Sequence, residues 1–313
     1  MKKILVTGGA GFLGSNLCKR LLVQQDNFVY CLDNMYTGKL ENLSPFEKNK
    51  NFKFINGDIR EFDIQSIEVD EIYNAACPAS PPAYQEDPLY TMKTNILGIE
   101  KMLDLATLNN AKILQFSTSE VYGNPLIHPQ VEEYFGNVNP IGIRACYDEG
   151  KRIGETLCFD YRRQKGTRIK VIRIFNTYGI NMDKNDGRVI SNFIVQALEN
   201  KDIIIYGSGN QTRSFCYVDD LISGIIKMMQ TEDNVTGPIN LGNPQEYTIN
   251  ELAKIIIDKT YSKSKIIHMK LPKDDPIKRK PDITKAKEYL GWKPTISLDE
   301  GIDRTIQYFR QIL

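Results

Sequence analysis

The chain has 313 residues, 41% hydrophobic and 25% charged, with 40 Lys and Arg against 39 Asp and Glu and a formal net charge of +1. That is enough chain for a full core and a smaller second lobe, and the balanced charge gives no electrostatic case for nucleic acid or a membrane as partner. No apolar run approaches the roughly 20 residues a membrane span needs, and the run after Met1 is too short and glycine-rich for a signal peptide, so a cytoplasmic location is expected.

In chain order, the periodicity predicts strands over 3–7, 28–32, 52–56, 71–75 and 113–117, with helices over 13–24 and 91–108. A long helix over 145–164 follows, then a strand over 170–174. Aliphatic strands alternating with helices predict a parallel sheet covered on both faces: an α/β, Rossmann-type doubly wound fold. Beyond residue 176 the alternation weakens. Helices are expected over 189–199, 219–229, 249–259 and 298–313, strands over 203–206 and 238–241, and a proline- and lysine-rich stretch over 270–282. This divides the chain into a dinucleotide domain (1–178 and 214–242) and a smaller carboxy-terminal substrate lobe (179–213 and 243–313). The cysteines are scattered without a CxxC pair and only two histidines accompany them, which predicts free thiols and no metal site.

The segment VTGGAGFLG at 6–14 places Gly8, Gly11 and Gly14 between a predicted strand and helix. Glycines there permit a tight turn, a close approach to a pyrophosphate and close helix–strand packing, and the helix amino terminus offers unpaired N–H groups. Asp33 ends the second strand about 20 residues on, where a carboxylate accepts hydrogen bonds from ribose hydroxyls and repels a 2′-phosphate. NAD is therefore the expected cofactor. Asp58 is placed either near the adenine amine or simply in a turn.

Tyr147 and Lys151 stand four apart on the long helix and share a face. An ammonium beside the phenol, with a positive nicotinamide, favours the phenolate and makes Tyr147 a base toward a sugar hydroxyl. Ser117, Thr118 and Ser119 follow a predicted strand, at the edge where open α/β sheets bind ligands.

On these motifs the chain resembles the extended short-chain dehydrogenase/reductases that act on nucleotide sugars, nearly end to end. More narrowly, it resembles the UDP-glucuronate decarboxylase (UDP-xylose synthase) family. The residues that carry this are ACPASPP at 76–82, STSEVYG at 117–123, GNVNPIG at 136–142 and CYDEGKR at 146–152. RIFNTYG at 173–179, DGRV at 186–189, QTRSFCY at 211–217 and DPIKRKPD at 275–282 add to it. The resemblance implies a catalytic set of Tyr147, Lys151, Thr118, Glu120 and Ser119. It implies cofactor contacts from Gly8, Gly11, Phe12, Leu13, Gly14, Asp33, Asn34, Asp58, Ile59 and Ala75, and substrate contacts from Pro82, Asn176, Arg188, Asn192, Arg213, Tyr217 and Arg279. Arginine forks suit a diphosphate, and Arg279 serves either that group or the sugar carboxylate. Tyr217 is placed near the base.

The expected reaction oxidises C4 of UDP-glucuronate, loses the carboxylate as carbon dioxide and re-reduces C4, giving UDP-xylose with NAD regenerated. Dehydratases of this fold carry an acid pair where Ser119 and Glu120 stand, and a serine cannot replace the proton donor. A 4-epimerase remains the alternative within the fold, and a non-catalytic dinucleotide sensor the alternative outside it. Glu120 is read either as positioning a water or relaying the C5 proton, or as structural. Ala83, Ala145 and Ile180 depart from the family pattern, where His, Ser and Pro are usual. A homodimer is implied, with Ile99, Leu103, Ala106, Leu157 and Tyr161 as its apolar face or, alternatively, as internal packing.

Overall fold

The computed structural model describes residues 1–270 and 278–313. Its central sheet has seven parallel strands: β1 (Lys2–Thr7), β2 (Asn27–Asp33), β3 (Phe52–Asn56), β4 (Glu71–Asn74), β5 (Lys112–Thr118), β6 (Arg168–Ile174) and β7 (Ile239–Leu241). Their spatial order is β3-β2-β1-β4-β5-β6-β7, so the chain reverses its direction of winding between β1 and β4. That is the switch point at which open α/β sheets bind dinucleotides, outside the carboxyl ends of the strands. Register brings those ends level: Thr7 pairs with Asn74, Asp33 with Asn56 and Thr118 with Ile174.

Alternation along the strands separates two cores. Ile4, Val6, Val29 and Cys31 face one side, under α1 (Phe12–Leu21), while Leu5, Leu32 and Ile72 face the other. At the end of the ACPASPP segment and just beyond it, two short helices form, α2 (Pro81–Glu86) and α3 (Pro88–Lys93). Each has proline in its first turn, where the missing N–H costs nothing. A π-helical turn, Thr94–Gly98, joins α3 to α4 (Ile99–Leu108), so the helix expected from 91 is one helical run from 88. Ile99, Leu103 and Ala106 are buried in the second core, so internal packing accounts for them, and the partly buried Leu157 and Tyr161 pack against it.

The long helix α5 (Ala145–Lys165) is followed by α6 (Val189–Leu198), α7 (Val218–Gln230), α8 (Ile249–Thr260), α9 (Thr284–Leu290) and α10 (Leu298–Ile312). Helix α1 stops at Leu21, three residues short of expectation, because the Asn27 side chain donates to the Leu21 carbonyl and turns the chain into β2. Small strands sit outside the main sheet. Ile203–Tyr206 pairs with Ile266–Met269, Thr177–Tyr178 with Cys216–Tyr217, and Thr212–Ser214 with both Glu246–Thr248 and Lys278–Arg279. The last pairing sets Arg279 beside Arg213. Residues 275–277 of the DPIKRKPD block lie outside the described residues. No helix among the described residues is long and apolar enough to cross a membrane.

Candidate active site

A cavity of about 1000 Å³ opens at the carboxyl edge of the sheet. One end is the glycine turn. Gly8 has φ +66°, and a Cβ there would stand 2.9 Å from the Ala76 Cα; a Cβ on Gly14 would stand 2.0 Å from the Gly8 carbonyl oxygen. Both positions exclude any side chain. Helix α1 begins at Gly11 without a side-chain cap, leaving its first amides, at Phe12 and Leu13, on the cavity wall. Asp33 is buried and accepts from the Ala10 N–H (2.9 Å) and the Met35 N–H (2.8 Å). Burial pushes its carboxyl up, and those amides oppose the rise. Each oxygen keeps further acceptor capacity, as ribose hydroxyls require. Asn34, Ile59 and Ala75 complete this end. These residues fit a dinucleotide.

Asp58 does not join them. Arg60 grips its carboxylate at 2.9 and 2.8 Å, and Asn34 donates to it at 3.0 Å, so Gly57 and Ile59 form the wall there instead. Burial works against the charge, but Arg60 prevails and holds Asp58 below its ordinary value. Tyr217 is likewise absent from the cavity. It is buried at the start of α7, edge-on to Tyr178 at 5.6 Å, because the strand Cys216–Tyr217 turns it into the core.

At the middle of the cavity, Tyr147 projects from the first turn of α5, its ring stacked on that of Tyr84 at 5.1 Å. Thr118 is hydrogen-bonded to its phenol. Lys151 is one turn further on, donating to the Phe116 carbonyl at 2.9 Å with its ammonium 5.8 Å from the Tyr147 ring centre. The protein by itself does not favour the phenolate. Burial pushes the Tyr147 phenol well up, Cys77, Glu120 and Asp148 add to this, and Thr118 only opposes it. Burial also pushes the Lys151 ammonium down.

Glu120 follows Ser119 in a single turn after β5 and is clamped. Arg144 donates to its Oε2, Arg279 Nη2 lies 3.2 Å from its Oε1, and the Ser119 hydroxyl donates to the same oxygen at 3.3 Å. Burial would raise this acid, but Arg279, Arg144 and Arg213 hold it below its ordinary value. Arg279 is 1% exposed, and its Nε, Nη1 and Nη2 find no hydrogen-bond partner among the described residues. A buried guanidinium in that condition faces a ligand position.

Arg188 lies on the cofactor side. Its guanidinium is 5.4 Å from the Phe12 ring centre and forked to Asp186 at 2.5 and 2.6 Å. Asn176, Asn192 and Pro82 also line the cavity, with Asn192 donating to the Gly187 carbonyl. Sequence reasoning passed over Arg144, Asp148, Tyr84 and Asp186. Arg144 and Asp148 share the helix face of Tyr147 and Lys151, and that spacing was the signal available for them.

The comparisons with known proteins give the chain a family. A family model described as GDP-mannose 4,6 dehydratase matches residues 5–305. UDP-glucuronic acid decarboxylase 3 of Arabidopsis thaliana is 52% identical over 308 residues, covering 98% of this chain and 89% of that protein. UDP-glucuronic acid decarboxylase 1 of Danio rerio is 50% identical over 312 residues, covering 100% of this chain and 73% of the relative. The chain belongs to the UDP-glucuronic acid decarboxylase family. It is thus an enzyme of nucleotide-sugar type. Among solved structures, UDP-glucuronic acid 4-epimerase from Bacillus cereus, in complex with UDP-glucuronic acid and NAD, superposes with a TM-score of 0.89 at 30% identity, covering 99% of this chain and 100% of that one. The decarboxylase family and that epimerase share the fold, so the reaction is decided by side chains.

Proposed function

We propose that the protein decarboxylates UDP-glucuronate to UDP-xylose through a 4-keto intermediate, using NAD that is regenerated in the site. The observation that carries this is the buried Arg279 beside a Glu120 already paired with Arg144. A second anion is needed there, and a hexuronate carboxylate supplies one. The glycine turn, the start of α1, Asp33 and Lys151 would hold NAD, which would supply the hydride acceptor and donor for C4 and a positive charge near Tyr147.

Tyr147 takes the proton from the C4 hydroxyl, and Thr118 orients that phenol. The 4-keto uronate is a β-keto acid, so the C5–C6 bond breaks with its electron pair passing toward O4. Donors from Thr118 and Tyr147 stabilise the enolate, an oxyanion-type interaction. Glu120, kept ionised by three guanidinium groups, serves as an anchor for the arginines rather than as a proton donor. The same ionisation argues against dehydration, which needs an acid to protonate a departing C6 hydroxyl. Arg213 and Asn176 serve the sugar nucleotide, and residues 179–213 and 243–313 form its lobe. For the expected homodimer, Leu97 of the π-helical turn, Leu108 of α4 and Ile153 of α5 remain exposed; sedimentation tests it.

The deciding experiment incubates the purified protein with UDP-glucuronate and NAD and reads the products by mass spectrometry and proton NMR. The expected product has lost carbon dioxide, shows xylose-type coupling and leaves no net NADH. Unchanged mass with inverted C4 would mean a 4-epimerase instead.

A further inference from the structure

The buried side-chain atoms without a hydrogen-bond partner among the described residues are Tyr84 Oη, Asp148 Oδ1 and the guanidinium nitrogens of Arg279. They converge on one place. Arg279 touches Glu120, Asp148 Oδ2 lies 3.9 Å from Arg144 Nε, and Arg144 in turn holds Glu120. Tyr84, from α2, feels the charges of Arg144, Glu120 and Asp148. Among the described residues, two acids and two arginines therefore form one cluster next to Tyr147, with Asp148 and Arg279 buried and Glu120 and Arg144 half-buried; Arg213 acts on it from the neighbouring strand and Glu149 from α5 itself.

The two acids differ in what they can carry. Glu120 has three cations on it and stays ionised. Asp148 has Arg144 Nε at 3.9 Å from one oxygen, and its other oxygen has no hydrogen-bond partner among the described residues. Burial, then the charge of Glu120, push its carboxyl up to about 7, against the pull of Arg144 and Arg279. A substrate carboxylate placed on Arg279 adds another negative charge, in surroundings of low polarity where like charges oppose each other strongly. The acid able to respond is Asp148.

We propose that the hexuronate substrate enters this site together with one proton, which Asp148 carries. The inference rests on the decarboxylase reading. In that reaction a carboxylate and one proton become carbon dioxide and a new C5–H bond: the C5–C6 bond breaks, its electron pair ends in the C5–H bond, and one proton is consumed per turnover. A proton loaded with the carboxylate keeps the charge of the cluster constant on binding, while the proton that ends on C5 comes from elsewhere, since Asp148 does not line the cavity. Asp148 acts from behind Arg144 and is a positioning residue.

The test uses NAD-loaded Tyr147→Phe protein, which binds without turning over, and titration calorimetry at pH 7.5 in buffers of different ionisation enthalpy. UDP-glucuronate is compared with UDP-xylose, which lacks only the carboxylate. Uptake of roughly half a proton or more is expected with UDP-glucuronate and none with UDP-xylose, from a carboxyl titrating near neutrality. Adding Asp148→Asn should remove the difference and leave UDP-xylose binding unchanged. Equal uptake with both ligands, or uptake that survives Asp148→Asn, overturns the proposal. A second measurement keeps Asp148 in place: the Kd ratio of UDP-glucuronate to UDP-xylose should climb up to about tenfold per pH unit above pH 7, and a flat ratio overturns it equally. Product formation by the protein with Tyr147 intact reads the decarboxylase assignment separately, so the two failures are distinguishable.

Discussion

Tyr147 sits in a site that by itself holds its proton, with Tyr84 across its ring and burial opposing the charge. In the proposed reaction, its use as a base would therefore depend on charge brought by a bound cofactor. Tyr147→Phe is expected to lower kcat by roughly 10²–10⁴-fold, in the range usual for a lost general base, while NAD binding measured by fluorescence stays unchanged. Retained turnover would sink that role. Asp148 makes a second prediction, on stability. Its folded value is raised, so the folded state holds the extra proton, and stability is lost as pH climbs from the unfolded value near 4 through about 7. Asp148→Asn removes that loss. By calorimetry it should raise Tm relative to the parent at pH 8, with a smaller gain at pH 5. At this scale the sequence made Tyr147, Lys151, the glycines and Asp33 legible, because each belongs to a short local pattern. It could not disclose that Arg144 and Arg279 meet on Glu120, since pairs 24 and 159 residues apart are brought together only by the fold.

The central strands were legible because they are aliphatic and buried between helices, and the ends of β3 came out residue for residue. The strands of two or three residues around 177, 212, 246 and 278 carry no period and were missed for that reason. What fixes α5, and with it Tyr147, against the sheet is also invisible to periodicity. Arg173 of β6 forks onto Glu155 of α5 at 2.9 and 2.7 Å, and Ser117 of β5 donates to the same carboxylate at 2.5 Å. The third guanidinium nitrogen reaches the Tyr122 hydroxyl and the Glu132 carbonyl, both at 3.0 Å. Glu155→Ala leaves this guanidinium buried without its counter-charge. Breaking such a pair costs about 3–5 kcal/mol, to be read as a drop in the urea midpoint, with part of the loss recovered in Glu155→Ala/Arg173→Met. A loss below about 1 kcal/mol would mean that Arg173 finds other partners, and that the pair does not fasten α5.

For the molecule as a whole, the segment from 180 to 188 joins parts that the sequence treats separately. Asn16 of α1 donates to the Ile180 carbonyl at 3.1 Å, Asn181 donates to the Ser15 hydroxyl at 3.0 Å, and Lys39 pairs with Asp183. At its other end Gly187, with φ +84°, approaches so closely that a Cβ would stand 2.6 Å from Pro82 Cγ, while Arg188 reaches Phe12. The segment thus spans from the start of α1 to α2 along the wall of the cavity, and a dinucleotide on the glycine turn would lie under its contacts. If, as proposed, NAD is regenerated within each turnover, the protein has no need to exchange it, and such fastening carries no kinetic penalty. Loosening the strap should therefore release cofactor without touching the chemistry. Asn181→Ala/Asp183→Ala removes two of the ties and leaves the catalytic groups in place. NAD retained after repeated gel filtration, quantified by chromatography of the denatured protein, should be lost at least several-fold faster than from the parent, and added NAD should restore kcat. If retention is unchanged, the glycine turn and Asp33 hold the cofactor alone, and the strap serves the sugar nucleotide instead.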